Sequence, residues 1–261
     1  MQPARVVDPQ GREFRVFSSR GAPGAPVYVL VHGIGMSHRS LEGLHAALAA
    51  HATVHTIDLP GFGGVPRPAG ELDVPTMAAA LGRVIDGLGA QRIVAVGHSM
   101  GAQWVTELGV QRPDLVSRVV VIGPAADVRH RTALAQGLAL AVDSTRERPA
   151  TNAIVVADYI RCGLPWFVTQ LRAMLAYPLE ERTAVLRMPL LVIRGGWDPV
   201  AGRRWSREVR DSARDAHLVE IPRRPHYAQH SAPRAVASAI RTFADADAAI
   251  GPDAALPPVP R

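Results

Sequence analysis

Ile93-Val94-Ala95-Val96-Gly97-His98-Ser99-Met100-Gly101 is the stretch on which the reading of the chain turns. Its four leading apolar residues, three of them β-branched, are too short a run for an ordinary helix and suit a strand buried on both faces. The run stops at glycine, and the residues from Met100 onward suit a helix extending to Gln111. Ser99, with Gly97 and Gly101 on either side, therefore stands where a strand turns sharply into a helix. Such a turn lifts the hydroxyl above the C-terminal edge of a sheet, and a Cβ at either glycine would collide with the adjacent strand and helix. The helix N-terminus beneath the serine favours developing negative charge.

On both sides of this junction, short apolar runs alternate with amphipathic stretches from about residue 27 onward. That is the pattern of a mostly parallel sheet with helices on both faces, an α/β fold. Residues 27–31, 54–57, 119–122 and 190–193 read as further buried strands, ending at His32-Gly33, Asp58, Gly123 and Arg194-Gly195-Gly196. Residues 14–17 read as an outer antiparallel strand and 217–221 as the last strand. Met77, Leu81, Ile85 and Leu88, and later Val236, Ile240 and Phe243, recur at helical spacing and are packing faces. Between Val128 and Leu186 no strand of the parallel series is evident. The apolar residues there, including Leu134, Leu138, Val142, Ile154 and Leu171, suit helices broken at Pro149, Pro165 and Pro178. The expected organisation is a core of residues 1–127 and 187–250, a helical cap at 128–186, and a disordered or extended tail at 251–261.

Composition narrows the partners. The 261 residues are 48% hydrophobic and 20% charged, a globular balance and not that of a disordered chain. The net charge of +6 comes from 29 basic residues, all arginine, scattered with no basic block or aromatic ladder, so no nucleic-acid partner is expected. Cys162 is the only cysteine, which excludes an intramolecular disulfide and suits a reducing compartment. No apolar run approaches the roughly 18 residues of a membrane span, and the N-terminus has no apolar signal core. A cytoplasmic protein with no membrane partner is expected.

A serine hydroxyl is a weak nucleophile unless a base lies within reach and a carboxylate orients that base. Asp198, in Gly196-Trp197-Asp198-Pro199, and His226, in Arg224-Pro225-His226-Tyr227, each follow an expected strand. Asp127 is a second candidate for the acid. His226 and His230 share helical spacing, but no HExxH glutamate accompanies them, so no metal site is expected. Cys162 reads as a packing residue.

Taken in chain order, His32-Gly33-Ile34-Gly35, Asp58-Leu59-Pro60-Gly61-Phe62-Gly63, Gly97-His98-Ser99-Met100-Gly101, Asp198 and His226 resemble the α/β-hydrolase fold superfamily, in its serine-nucleophile branch with a helical cap. The resemblance spans about residues 14–243. It implies Ser99 as nucleophile, His226 as base, Asp198 as acid, and the backbone N–H groups of Ile34 and Met100 as oxyanion donors. It implies no cofactor. His32 and His98 flank the oxyanion region as structural or pocket-lining residues, and Tyr159, Trp166, Phe167 and Met174 are candidate pocket walls. The implied activity is hydrolysis of carboxylic esters of small-to-medium hydrophobic substrates through an acyl-serine. Serine at the elbow disfavours epoxide hydrolase and dehalogenase chemistry, which needs a carboxylate there. Carbon–carbon hydrolysis of vinylogous diketones, thioester or lactone hydrolysis and cofactor-free perhydrolysis would use the same residues, and a non-catalytic ligand-binding protein of this fold is the alternative from another class.

Overall fold

Alternation of side chains along each strand decides the layers of the molecule. In β3 (Val27–Val31), Tyr28 and Leu30 are buried in one apolar cluster and Val29 and Val31 in another, so the strand has helices on both sides. The computed structural model describes residues 3–70 and 72–249, with side chains up to residue 246; the tail expected at 251–261 lies outside the described residues. Among these the remaining strands are β1 (Pro3–Val7), β2 (Glu13–Ser19), β4 (Thr53–Asp58), β5 (Ile93–His98), β6 (Val116–Ile122), β7 (Leu190–Gly195) and β8 (Ala216–Ile221). They form one sheet in the order β1-β2-β4-β3-β5-β6-β7-β8. β1 and β2 are antiparallel to their neighbours, and β3 to β8 are parallel.

One face is covered by α1 (Glu42–Ala49) and α10 (Pro233–Ala249), through Leu44, Leu48, Val236, Ile240 and Phe243. The other is covered by α2 (Val74–Gly87), α3 (Met100–Gln111) and α8 (Arg203–Ser212), through Met77, Leu81, Trp104 and Trp205. Asp73 caps α2 by accepting the N–H of Thr76 at 2.8 Å, with Pro75 in the first turn, where its missing donor costs nothing. Between β6 and β7 the chain is helical: α4 (Ala133–Ser144), α5 (Pro149–Cys162), α6 (Leu164–Ala176) and α7 (Leu179–Ala184). Pro149 opens α5, Pro165 lies in the first turn of α6 and Pro178 precedes α7, so each proline falls at a helix start as its ring requires. A short α9 (Ala228–Ser231) follows β8.

The segment read as an outer antiparallel strand is β2, and β1 pairs antiparallel along its other edge, so β2 is the second strand of the sheet. β1 is mostly exposed and carries no apolar alternation, so only pairing marks it as a strand. β6 begins at Val116, three residues before the expected start; its charged Arg118 is buried by donating from Nε to the Phe243 carbonyl at 3.1 Å.

Strand order reverses beside β3, with β4 on one side and β5 on the other. Such a switch point opens a crevice at the carboxyl ends of the strands. Here it brings the loop after β3 against the turn after β5.

Candidate active site

Ser99 occupies the β5–α3 turn with φ 55° and ψ −117°, outside the regions that L residues favour. Backbone strain of this kind costs about 1–3 kcal/mol and is sustained only by its surroundings. The Ser99 N–H donates to the Ile122 carbonyl at 2.9 Å. A Cβ on Gly97 would run into the Gly101 backbone, and one on Gly101 would lie 2.5 Å from the Val31 carbonyl oxygen and 2.6 Å from that of His32. The turn is therefore closed on both sides by backbone that cannot move aside. Met100 is the first residue of α3, so its N–H has no partner within the helix.

Across the switch point, the Cβ position of Gly33 is 3.0 Å from the Ser99 Cβ. The neighbouring His32 is fully buried. Its Nε2 accepts the N–H of Leu59 at 3.2 Å, which leaves the proton on Nδ1 to be donated to the Gly33 carbonyl at 2.8 Å. Burial holds its pKa below the usual histidine value against the opposing charge of Asp58, so the ring is neutral. In a trans peptide the N–H of Ile34 points opposite to the Gly33 carbonyl, hence away from His32. Ile34 and Ser99 share the wall of one cavity.

Asp198 and His226 stand on the loops after β7 and β8. Their backbones are hydrogen-bonded to each other, Gly196 N–H to the Ile221 carbonyl and Trp197 N–H to that of Arg224, both at 2.9 Å. The Asp198 Oδ1 accepts the N–H groups of Val200 and Ala201 at 2.8 and 2.9 Å, and its Oδ2 lies 2.9 Å from Nδ1 of His226. Burial alone would raise the Asp198 pKa, but His226 and the two backbone donors outweigh it and hold the carboxyl below its usual range. For His226, burial would lower the pKa, but Asp198, with the nearby Asp143 and Glu147 carboxyl groups, outweighs it, so the net direction is upward. With Nδ1 engaged by the carboxylate, the remaining nitrogen, Nε2, is buried and has no hydrogen-bond partner. Gly123, the residue after the Ile122 that anchors Ser99, has φ 55°, and a Cβ there would be 3.0 Å from the His226 ring and 3.1 Å from Asp198 Oδ2. The serine turn and the Asp198–His226 pair thus meet at the end of β6.

The rival acid is turned elsewhere. Asp127 caps the turn Val128–His130, accepting the Arg129 N–H at 3.0 Å and pairing with the Arg129 guanidinium at 3.1 Å. His230 lies in the last turn of α9, where burial lowers its pKa. His98 is buried behind His226 and donates from Nε2 to the His226 carbonyl at 3.2 Å. Burial and the neighbouring His226 keep its pKa well below the usual value.

Beside Ser99 lies a cavity of about 100 Å³ walled by α4 and α6 as well as by the core. Phe167 and Met174 line it, together with Leu140, Leu171, Ala125 and Val200. Tyr159 and Trp166 do different work. Tyr159 packs on Gly35 and, with ring centroids 5.0 Å apart, on Phe167, while the Trp166 indole fills the space a Cβ would need at Gly61. These contacts help seat α5 and α6 on the loops after β3 and β4. Cys162 is buried at the end of α5, and burial pushes its thiol up to about 11, so it is an inert packing group.

The sequence pattern that defines the alpha/beta hydrolase family matches residues 28–239. The chain belongs to the alpha/beta hydrolase family. An uncharacterised protein of Mycobacterium tuberculosis is 32% identical over 127 residues, 47% of this chain and 37% of its own length. Epoxide hydrolase A of the same organism is 36% identical over 126 residues, 47% of this chain and 38% of its own length. The match thus spans little more than a third of these relatives. Among solved structures, a hydrolase from Pseudomonas aeruginosa superposes with a TM-score of 0.80 at 21% identity, over 94% of this chain and 99% of that one, a likeness of fold. This alpha/beta hydrolase has no helix among its described residues that is long and apolar enough to cross a membrane.

Proposed function

We propose that the chain is a serine hydrolase that cleaves carboxylic esters of small-to-medium hydrophobic substrates, with Ser99, His226 and Asp198 as its triad. The observation that carries this reading is the buried, unpartnered Nε2 of His226, a lone pair held ready at the end of β6 while Nδ1 is committed to Asp198. In the proposed reaction Ser99 Oγ bonds to the ester carbonyl carbon as Nε2 takes its proton. The N–H groups of Ile34 and Met100 receive the negative charge that develops on the carbonyl oxygen. When the carbon–oxygen bond breaks, His226 returns the proton to the leaving alcohol, and an acyl group remains on Ser99. Water then repeats the sequence, giving up a proton to His226 and releasing the carboxylic acid and the free serine. Asp198 stays ionised throughout and stabilises the imidazolium.

The apolar cavity beside Ser99 supports a hydrophobic substrate. Its wall is mostly apolar, and the amide of its Gln136 is committed at both ends, to the Ala126 N–H and the His130 carbonyl. We take residues 128–186 as the cap that supplies this wall, and the reaction as needing no cofactor or metal. The likeness to an epoxide hydrolase favours another substrate, but a route through an alkyl ester on a carboxylate would need an aspartate where this chain has Ser99.

Hydrolysis of p-nitrophenyl esters from acetate to decanoate, with Ser99→Ala as control, tests the reading. Turnover of a subset by the wild type and of none by the variant supports it. Equal inertness of both overturns the ester reading, leaving carbon–carbon bond hydrolysis, or binding without turnover, to be assayed.

A further inference from the structure

The turn that closes α4 makes three hydrogen bonds, each to a loop that carries one member of the Asp198–His226 pair. Asp143 Oδ1 accepts the backbone N–H of His226 at 2.8 Å. Glu147 Oε1 accepts the N–H of the next residue, Tyr227, at 3.0 Å. Arg146 donates from Nη1 to the carbonyl of Trp197, the residue before Asp198, at 2.8 Å. Asp143 and Glu147 are both buried, at 1% and 8% exposure, an unfavourable place for a carboxyl group that lacks a compensating partner. The backbone donors of the histidine loop supply that compensation, and the loop in turn gains acceptors for two buried N–H groups.

We infer that Asp143 and Glu147 are positioning residues, which together with Arg146 let the helical segment between β6 and β7 hold the loops of Asp198 and His226 in register. This rests on the reading of His226 as the base. His226 is then fixed at three points: its N–H by Asp143, its carbonyl by His98, and its ring by Asp198. Two of these partners belong to the core and one to the helical segment. Alignment of the base therefore depends on α4 being seated, and a ligand that lifts α4 releases one of the three constraints.

The charged and titratable groups around Asp143 are His226 and Tyr227 on the histidine loop, Asp198 on the acid loop, Arg146 and Glu147 on its own turn, and Tyr159 on α5. Burial raises the Asp143 pKa, His226 opposes that rise, and the Asp143 charge in turn favours protonated His226. A residue that only filled space would leave the His226 titration unchanged.

The experiment compares Asp143→Ala, Asp143→Asn and Glu147→Ala in the full chain, following the His226 imidazole by NMR titration and ester turnover in parallel. Asparagine keeps an oxygen to accept the His226 N–H but removes the charge. The expected result is a His226 midpoint lowered by about half a pH unit or more in Asp143→Asn. Turnover in Asp143→Ala is expected to fall at least about tenfold in kcat with KM nearly unchanged, and Asp143→Asn to restore most of it. An unaltered His226 midpoint in a folded Asp143→Asn variant overturns the inference. So does an Asp143→Ala or Glu147→Ala variant with wild-type kcat. If Asp143→Ala fails to fold, the Asp143→Asn titration and the Glu147→Ala kcat decide. Because the titration needs no turnover, inertness of the wild type toward esters counts against the proposed activity and leaves the positioning role to the NMR result.

Discussion

His32 holds the Gly33 carbonyl at 2.8 Å through a ring whose other nitrogen is already taken by the Leu59 N–H. The tautomer is thereby fixed, and so is the direction of the Gly33–Ile34 peptide. If the Ile34 N–H receives developing negative charge, His32 is the residue that aims it. His32→Ala is expected to lower kcat by about tenfold or more, approaching the loss seen when a single oxyanion donor is removed, with little change in KM. Steady-state kinetics on a short ester checks this, and a variant with intact kcat counts against the aim of that peptide mattering.

The two candidate acids separate cleanly. Asp198→Asn leaves an isosteric side chain beside His226 but favours the wrong tautomer, and turnover should fall by about 10⁴-fold while the fold persists. Asp127→Asn loses only a capping carboxylate and its pairing with Arg129, so its turnover should stay near that of the wild type. A crippled Asp127→Asn enzyme would reverse the assignment.

The pH profile has a definite sign. A histidine works as a base only when neutral, and burial of His226, which lowers its pKa, is outweighed by Asp198 together with Asp143 and Glu147, so the pKa is raised above the ordinary 6.5. Activity should therefore be low under acid conditions, rise as pH climbs through a midpoint above 6.5, and then level off. Measuring kcat/KM from about pH 5 to 9 locates that limb; a flat profile would exclude His226 as the base.

Two of the glycines hemmed in by near neighbours give distinct predictions. Gly101→Ala drives a methyl group against two carbonyl oxygens of the β3 end, and the expected loss of stability is about 3 kcal/mol or more. Gly123→Ala meets the His226 ring and Asp198 while standing at φ 55°, so it should damage turnover as well as stability. Chemical denaturation of both variants beside the kinetics of Gly123→Ala tests the distinction.

The β5–α3 junction was legible because every constraint on it is local: a buried run, a glycine on each side of the turn, and a helix that starts at once. Asp198 and His226 were legible for a similar reason, each standing past the end of a strand, β7 fully buried and β8 half-buried. The faces of α4 were not. Leu134, Leu138 and Val142, which suit a helix, are exposed, whereas Gln136 and Asp143 are buried. Gln136 faces inward to bond Ala126 and His130, and Asp143 to bond a residue 83 positions later. Apolar periodicity cannot report an orientation set by such distant polar partners. Trp166 and Tyr159 show the same limit: their place in the expected cap suggested walls of a cavity, and the glycines that receive them lie in loops more than about a hundred residues away in sequence.

The φ of 55° at Ser99 also bears on how the chain drifts under mutation. Glycine would occupy that position without the steric penalty, so a Ser99→Gly protein should melt higher than the wild type by the equivalent of about 1 kcal/mol. Selection for folding alone would thus discard the hydroxyl. A serine at this turn stands against that gradient, as expected if its oxygen is the nucleophile of the proposed reaction.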